Sequence, residues 1–156
     1  MLFPGTALDA IEQAIGTVEL AHQGEIRFAI ETALSPLHIL NGVAPRVRAL
    51  EVFAQLRVWD TEQNNGVLIY VQIADRNVEI IADRGFEGRV SPPEWEAVCR
   101  LMEEHFRAGR FEAGSVAGVL AIGNLLARHF PRSPAPAAAT AAAQSHNQLP
   151  DRPILL

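Results

Sequence analysis

The run Val67-Leu68-Ile69-Tyr70-Val71 constrains the fold more than any other segment of the chain. Five consecutive apolar residues make a stable strand only where both faces of the sheet are covered, so this run predicts a central strand in a layered fold. Asp75-Arg76-Asn77 reads as a tight turn, and Val78 to Ala82 as the antiparallel strand that follows it.

Upstream, Glu25 to Glu31 alternates polar and apolar, which places Ile26, Phe28 and Ile30 on one face of a further strand. Before it, Leu8, Ile11, Ile15 and Val18 make the apolar stripe of a helix over about residues 8–21, with Thr6 as the expected cap and Gly24 as the left-handed stop. Leu37 to Gly42 reads as a partly apolar loop. Pro45 then opens a helix to about Trp59. Ser91-Pro92-Pro93-Glu94 carries a serine cap, prolines for the first turn and a glutamate at the third position, so it starts a helix. Gly109 ends that helix, and a last one covers about Glu112 to His129.

The expected order is therefore α-β-α-β-β-α-α. The crossover helix makes the first two strands parallel, the tight turn makes the third antiparallel, and helices cover both faces of the sheet. The fold class is α/β, a three-layer α/β/α sandwich with a small mixed sheet. The domain is expected to span residues 1–131, followed by an Ala/Pro-rich linker over 132–147 and a hydrophobic peptide over 148–156.

Order, spacing and several short stretches together resemble the TPM domain family. The stretches are Glu19 to Arg27 at the first helix–strand junction, Asn65 to Tyr70 at the second strand, Asp75 to Ile80 in the hairpin and Asp83 to Gly88 after it. The family takes in a thylakoid-lumen photosystem-repair protein, a receptor-associated membrane protein and many bacterial proteins. The resemblance implies an α/β/α fold, divalent-cation binding and acid phosphatase activity, and no nucleophile signature of the family can be placed on this chain.

Composition narrows the function classes. Thirteen Lys and Arg against eighteen Asp and Glu give a net charge of −5, which argues against a nucleic-acid or anionic-lipid partner. Residues 1–6 lack the features of a signal peptide, and the apolar stretch from Ala113 to Ala127 falls short of the ~20 residues of a membrane span. One cysteine, Cys99, excludes an intrachain disulfide and a multi-cysteine zinc site. The chain is expected to be soluble and cytoplasmic, with no membrane partner and no organic cofactor.

Topology brings the start of the first strand, the loop before the second and the end of the third to one end of the sheet. That gathers Glu25, Asp60, Glu62, Asn64 and Asp83 as candidate ligands, with Glu19 and His22 as neighbours. Hard oxygen donors of this kind suit Ca2+ or Mg2+. The loop is not an EF-hand, because Gly66 falls one position late and Val71 stands where the closing glutamate belongs. The other reading makes Asp60, Asn64, Asn65 and Gly66 simple turn-formers.

Arg84, Arg89 and Ser91, at a helix start near the same end, form a candidate anion site. The leading reading is a cation-binding accessory domain without catalysis that acts through protein contacts; metal-dependent phosphate-ester hydrolysis is the alternative function, and a metal-free interaction module is the third reading. The other reading of the two arginines makes them neutralise Asp83 and Glu87. Cys99, beside Met102 on a helix stripe, reads as core. Ile154, Leu155 and Leu156 either stay unstructured or add as a strand to a sheet edge, this chain's own or a protein partner's. The sequence leaves the oligomeric state open.

Overall fold

A computed structural model describes residues 2–131 and 149–156. The chain runs through α1 (Gly5–Glu19), β1 (Glu25–Glu31), α2 (Pro36–Leu40), α3 (Pro45–Gln55), β2 (Gly66–Gln72), β3 (Asn77–Ala82), α4 (Pro92–Arg107), α5 (Phe111–His129) and β4 (Ile154–Leu155). The strands form one sheet in the order β3-β2-β1-β4. β1 runs parallel to β2 and to β4, while β3 is antiparallel to β2. The linker reading over 132–147 lies outside the described residues.

β2 is buried at every position, as its unbroken apolar run requires. Ile26, Phe28, Ile30, Val67, Ile69 and Val71 join one core cluster with α1, α4 and α5. Ala29, Leu68, Tyr70 and Ile81 join the second, with Ala49 and Val52 of α3. The result is three layers, α1-α5-α4, sheet, α3.

α5 fits against α4 because it carries no side chain at the contact. A Cβ on Gly118 would lie 2.2 Å from the Met102 sulfur, so only glycine permits this approach. The spacing of Gly114 and Gly118 thus marks helix–helix packing.

Several local expectations change. α1 begins at Gly5 with Pro4 as its cap, and the Pro4 carbonyl accepts from the Ala7 and Leu8 N–H groups. Thr6 therefore sits inside the first turn. Gly24 is not left-handed; it is small because the Leu126 side chain packs against it. Leu37–Gly42 is not all loop, since Ser35 caps the short helix α2, its Oγ accepting from the His38 N–H at 3.2 Å. α3 stops at Gln55, short of Trp59.

β1 departs furthest from its sequence pattern. Polar residues stand at alternate positions of the strand, yet all seven residues are buried. α3 covers the face that carries Ala29 and Glu31, and the C-terminal peptide closes the outer edge. Ile154 and Leu155 pair with Ala29 and Ile30, and the Leu156 N–H donates to the Ile30 carbonyl at 2.7 Å. Leu149 enters the α3-side core. The peptide thus adds as a strand to this chain's own sheet edge. Buried Arg27 finds an acceptor in the Arg152 carbonyl, and Arg152 in turn reaches Asp9 and Glu12 of α1.

Among the described residues, no helix is long and apolar enough to cross a membrane.

Candidate functional site

The strand register assembles the predicted acidic end. Glu25 lies opposite Gly66, and the Glu25 N–H donates to the Asn65 carbonyl at 3.0 Å. Across β2, the Asp83 N–H donates to the Gly66 carbonyl at 2.9 Å. Glu25, the loop ending at Gly66, and Asp83 are therefore side by side.

The loop itself is tied down. Asn65 Nδ2 donates to the Gln23 carbonyl at 2.5 Å, and the Asn65 N–H donates to Thr61 Oγ1 at 3.1 Å. Asn64 adopts a positive φ of 52° and offers its carbonyl to the Gly85 N–H at 2.8 Å. Asp60 forms an exposed ion pair with Arg57 at 3.0 Å, and Glu62 is exposed. Asn64, Asn65 and Gly66 accordingly work as turn-formers. Among the described residues, no three His, Cys, Asp or Glu side chains are gathered as a metal cage requires.

One cluster of carboxyl groups does form, and one member comes from far along the chain. The Glu19 carboxyl is held far above the usual range, first by burial, then by hydrogen bonding to Asp151 and Glu25 and by their charges. Glu19 Oε2 also accepts from the Ile26 N–H at 3.1 Å. Asp151 arrives with the C-terminal peptide, 132 residues along the chain from Glu19, and no periodicity links the two. His22 is fully buried nearby, its Nδ1 accepting from the Gly24 N–H at 3.0 Å.

Asp83 has a second setting. Its Oδ1 accepts from the Arg84 N–H at 2.7 Å, while Oδ2 is buried with no hydrogen-bond partner among the described residues. Asp83 lines a groove of about 660 Å³ between β3 and the first half of α4, with Glu79, Ala82, Phe86, Trp95 and Cys99 among the other lining residues. Hydrogen bonding to the Ile80 backbone places Cys99 at the strand edge; burial, then Glu79 and Glu103, push its thiol up to about 12. Such a thiol is not a thiolate nucleophile at neutral pH.

The α4 start is occupied from within. The Ser91 N–H and Oγ both donate to Glu94 Oε2, at 2.7 and 3.0 Å. Pro92 and Pro93 have no N–H to offer. The Arg89 guanidinium lies over the Phe130 ring at 4.6 Å, and Arg84 is exposed. Glu94 thus fills the place that the anion reading reserves for a ligand.

A polar network occupies the far end of β1. Arg48 bonds Glu31 through two nitrogens, at 3.0 and 2.7 Å. The Tyr70 hydroxyl donates to the same carboxylate at 3.0 Å. Glu51 accepts from Arg48 at 3.2 Å and contacts His38 Nε2 at 3.0 Å, and His38 Nδ1 lies 2.5 Å from Ser35 Oγ.

The fold recurs in solved structures. The NMR structure of BA42 protein from the psychrophilic bacterium Bizionia argentinensis superposes with a TM-score of 0.80 at 28% identity, covering 98% of this chain and 94% of that one. The solution structure of the N-terminal domain of a P. gingivalis protein gives a TM-score of 0.63 at 21% identity, with 85% and 83% covered. The N-terminal domain of cg2496 protein from Corynebacterium glutamicum gives 0.59 at 13%, with 79% and 73% covered. Curated proteins yield no match. Residues 2–125 match the TPM domain, most of the chain's length, so the chain belongs to the TPM domain family.

Proposed function

We propose that this TPM domain is a non-catalytic accessory domain that binds Ca2+ or Mg2+ weakly at the acidic end of its sheet and acts through contacts with other proteins. The supporting observation is the register that sets Glu25 and Asp83 on either side of Gly66, with Asp151 and the protonated Glu19 carboxyl nearby. The donor set does not fit a dehydrated ion in an all-protein cage, because among the described residues no three His, Cys, Asp or Glu side chains are placed to ligate one ion. It fits a hydrated ion held by one or two carboxylates, the mode Mg2+ favours. Asp83 Oδ2 is the oxygen that lacks a protein partner.

The test is a Ca2+ and Mg2+ titration of chelator-treated protein followed by backbone NMR. Saturable shifts at Glu25, at residues 60–66 and at Asp83, with affinity of roughly 10⁻⁴–10⁻³ M, support the reading. Their loss in Asp83→Asn places the ion. An unmoved spectrum at roughly 10 mM of either ion would leave a metal-free interaction module. Metal-dependent turnover of a phosphate ester that vanishes in Asp83→Asn would replace the accessory role with a phosphatase.

A further inference from the structure

We propose that the groove between β3 and α4 binds an arginine carried by an extended peptide segment of a partner protein, with the guanidinium on Asp83 and the peptide backbone along Ala82. This site draws on the same Asp83 as the ion reading, so an ion and a guanidinium would compete there, and it needs no ion.

Asp83 is 9% exposed and lines the groove, yet Oδ2 accepts no hydrogen bond among the described residues. A buried carboxylate oxygen left without a donor is costly, and a guanidinium supplies donors in the planar geometry that a carboxylate matches. The surroundings have the complementary charge. Glu79, Asp83, Glu87 and Glu96 line the groove against one cation, Arg46.

Arg46 shows the recognition within the chain itself. Its Nη1 lies 3.4 Å from Glu79 Oε2 and donates to the Ile80 carbonyl at 3.2 Å, pairing a guanidinium with a carboxylate and a β3 edge carbonyl. The proposed ligand repeats that chemistry on the neighbouring stretch of strand.

Two features select an arginine within a peptide over a bare cation. Phe86 and Trp95 give the groove aromatic walls, which suit the aliphatic stem and planar head of arginine. The edge of β3 supplies the backbone partner. Because the Asp83 N–H bonds to Gly66 across β2, strand alternation directs the N–H and C=O of Ala82 to the outer side. The volume of about 660 Å³ sits within the range of about 300–1,000 Å³ typical of small-ligand pockets, room enough for an arginine side chain.

The test titrates isotope-labelled full chain, in EDTA so that ion binding plays no part, with the blocked tripeptide acetyl-Leu-Arg-Leu-amide. A second titration uses the analogue with citrulline, its neutral isostere, in place of arginine. Saturable shifts at Ala82, Cys99 and the Trp95 indole N–H are expected, with at least about tenfold weaker binding of the citrulline peptide. Asp83→Asn should weaken the arginine peptide by about tenfold. Glu96→Lys, at an exposed position that leaves the fold alone, should weaken it too and serves if the Asp83 variant does not fold. Equal binding of both peptides, shifts elsewhere on the surface, indifference to Glu96→Lys, or an unmoved spectrum would each overturn the proposal.

Discussion

Arg48 and Glu31 face each other across the α3–sheet interface through two hydrogen bonds, and the Tyr70 hydroxyl adds a third to the same carboxylate. Their side chains are 12% and 10% exposed, so water does little to screen the pair. Arg48→Ala leaves a buried carboxylate with one neutral donor. It should cost about 3 kcal/mol and lower Tm by roughly 10 °C, read by thermal melts at neutral pH.

Acid should expose the same pair. Hydrogen bonds from Arg48 hold the Glu31 carboxyl below the usual range, aided by Tyr70 and the Arg48 charge and opposed by burial. A depressed folded pKa contributes stability that is complete above the unfolded value of about 4.3 and is lost as pH falls through the folded one. Melts of the native chain should fall steeply below about pH 4, and Glu31→Gln should flatten that fall.

Glu19 carries the opposite sign. Its folded pKa is raised, by burial first and then by Asp151 and Glu25. The folded chain therefore holds a proton that the unfolded chain releases above about pH 4.3, and stability declines as pH rises from there toward the raised value. Glu19→Gln keeps an acceptor for the Ile26 N–H and removes the titration. Its Tm should exceed the native value by about 3–6 °C at pH 8 and by much less at pH 4; a gain that does not change with pH would contradict this account.

Gly66 should tolerate no side chain. A Cβ there would lie 2.1 Å from the Val58 carbonyl oxygen, a backbone atom that cannot rotate aside. Gly66→Ala should cost about 3 kcal/mol or more and lower soluble yield and Tm together. Gly118→Ala meets the Met102 side chain instead, and Met102→Ala should restore part of its loss.

Removing residues 149–156 should uncover the outer edge of β1 and take Leu149 from the α3-side core. Faster amide exchange at the Ala29–Ile30 stretch, a lower Tm and concentration-dependent self-association are expected, since an open strand edge recruits another. Unchanged exchange along β1 would mean that the peptide does not hold that edge.

How much of this was legible depended on the range of each interaction. Val67 to Val71 announced a doubly covered strand because covering both faces leaves no polar position. The Asp75-Arg76-Asn77 turn fixed the partner strand, the crossover helix made the first strand parallel, and together these constraints bring Glu25 and Asp83 to one end of the sheet. Charge pairing was not legible. Asp60 takes its neighbour Arg57, and Arg48 takes Glu31 from another element; composition cannot rank such choices. α2 escaped because Leu37, Ile39 and Leu40 are exposed, so no stripe records it. Asp151 escaped because it reaches the cluster from a segment distant in sequence, and the groove because the hydrophobic spacing of residues 79–99 records which side chains are buried and not the hollow left between them.

β1 gains one neighbour from residues 66–72 and the other from residues 154–155. The two pairings differ greatly in the length of chain that each must close. Closure entropy grows only slowly with that length, so both are affordable at equilibrium. Rates follow contact separation more steeply. During refolding, pulse-labelled amides should become protected first between β1 and β2, while β1's other edge waits for the chain's last residues. For that interval the molecule is a three-stranded intermediate with an adhesive side, and the concentration at which refolding is attempted sets how many copies find each other before they find their own fourth strand.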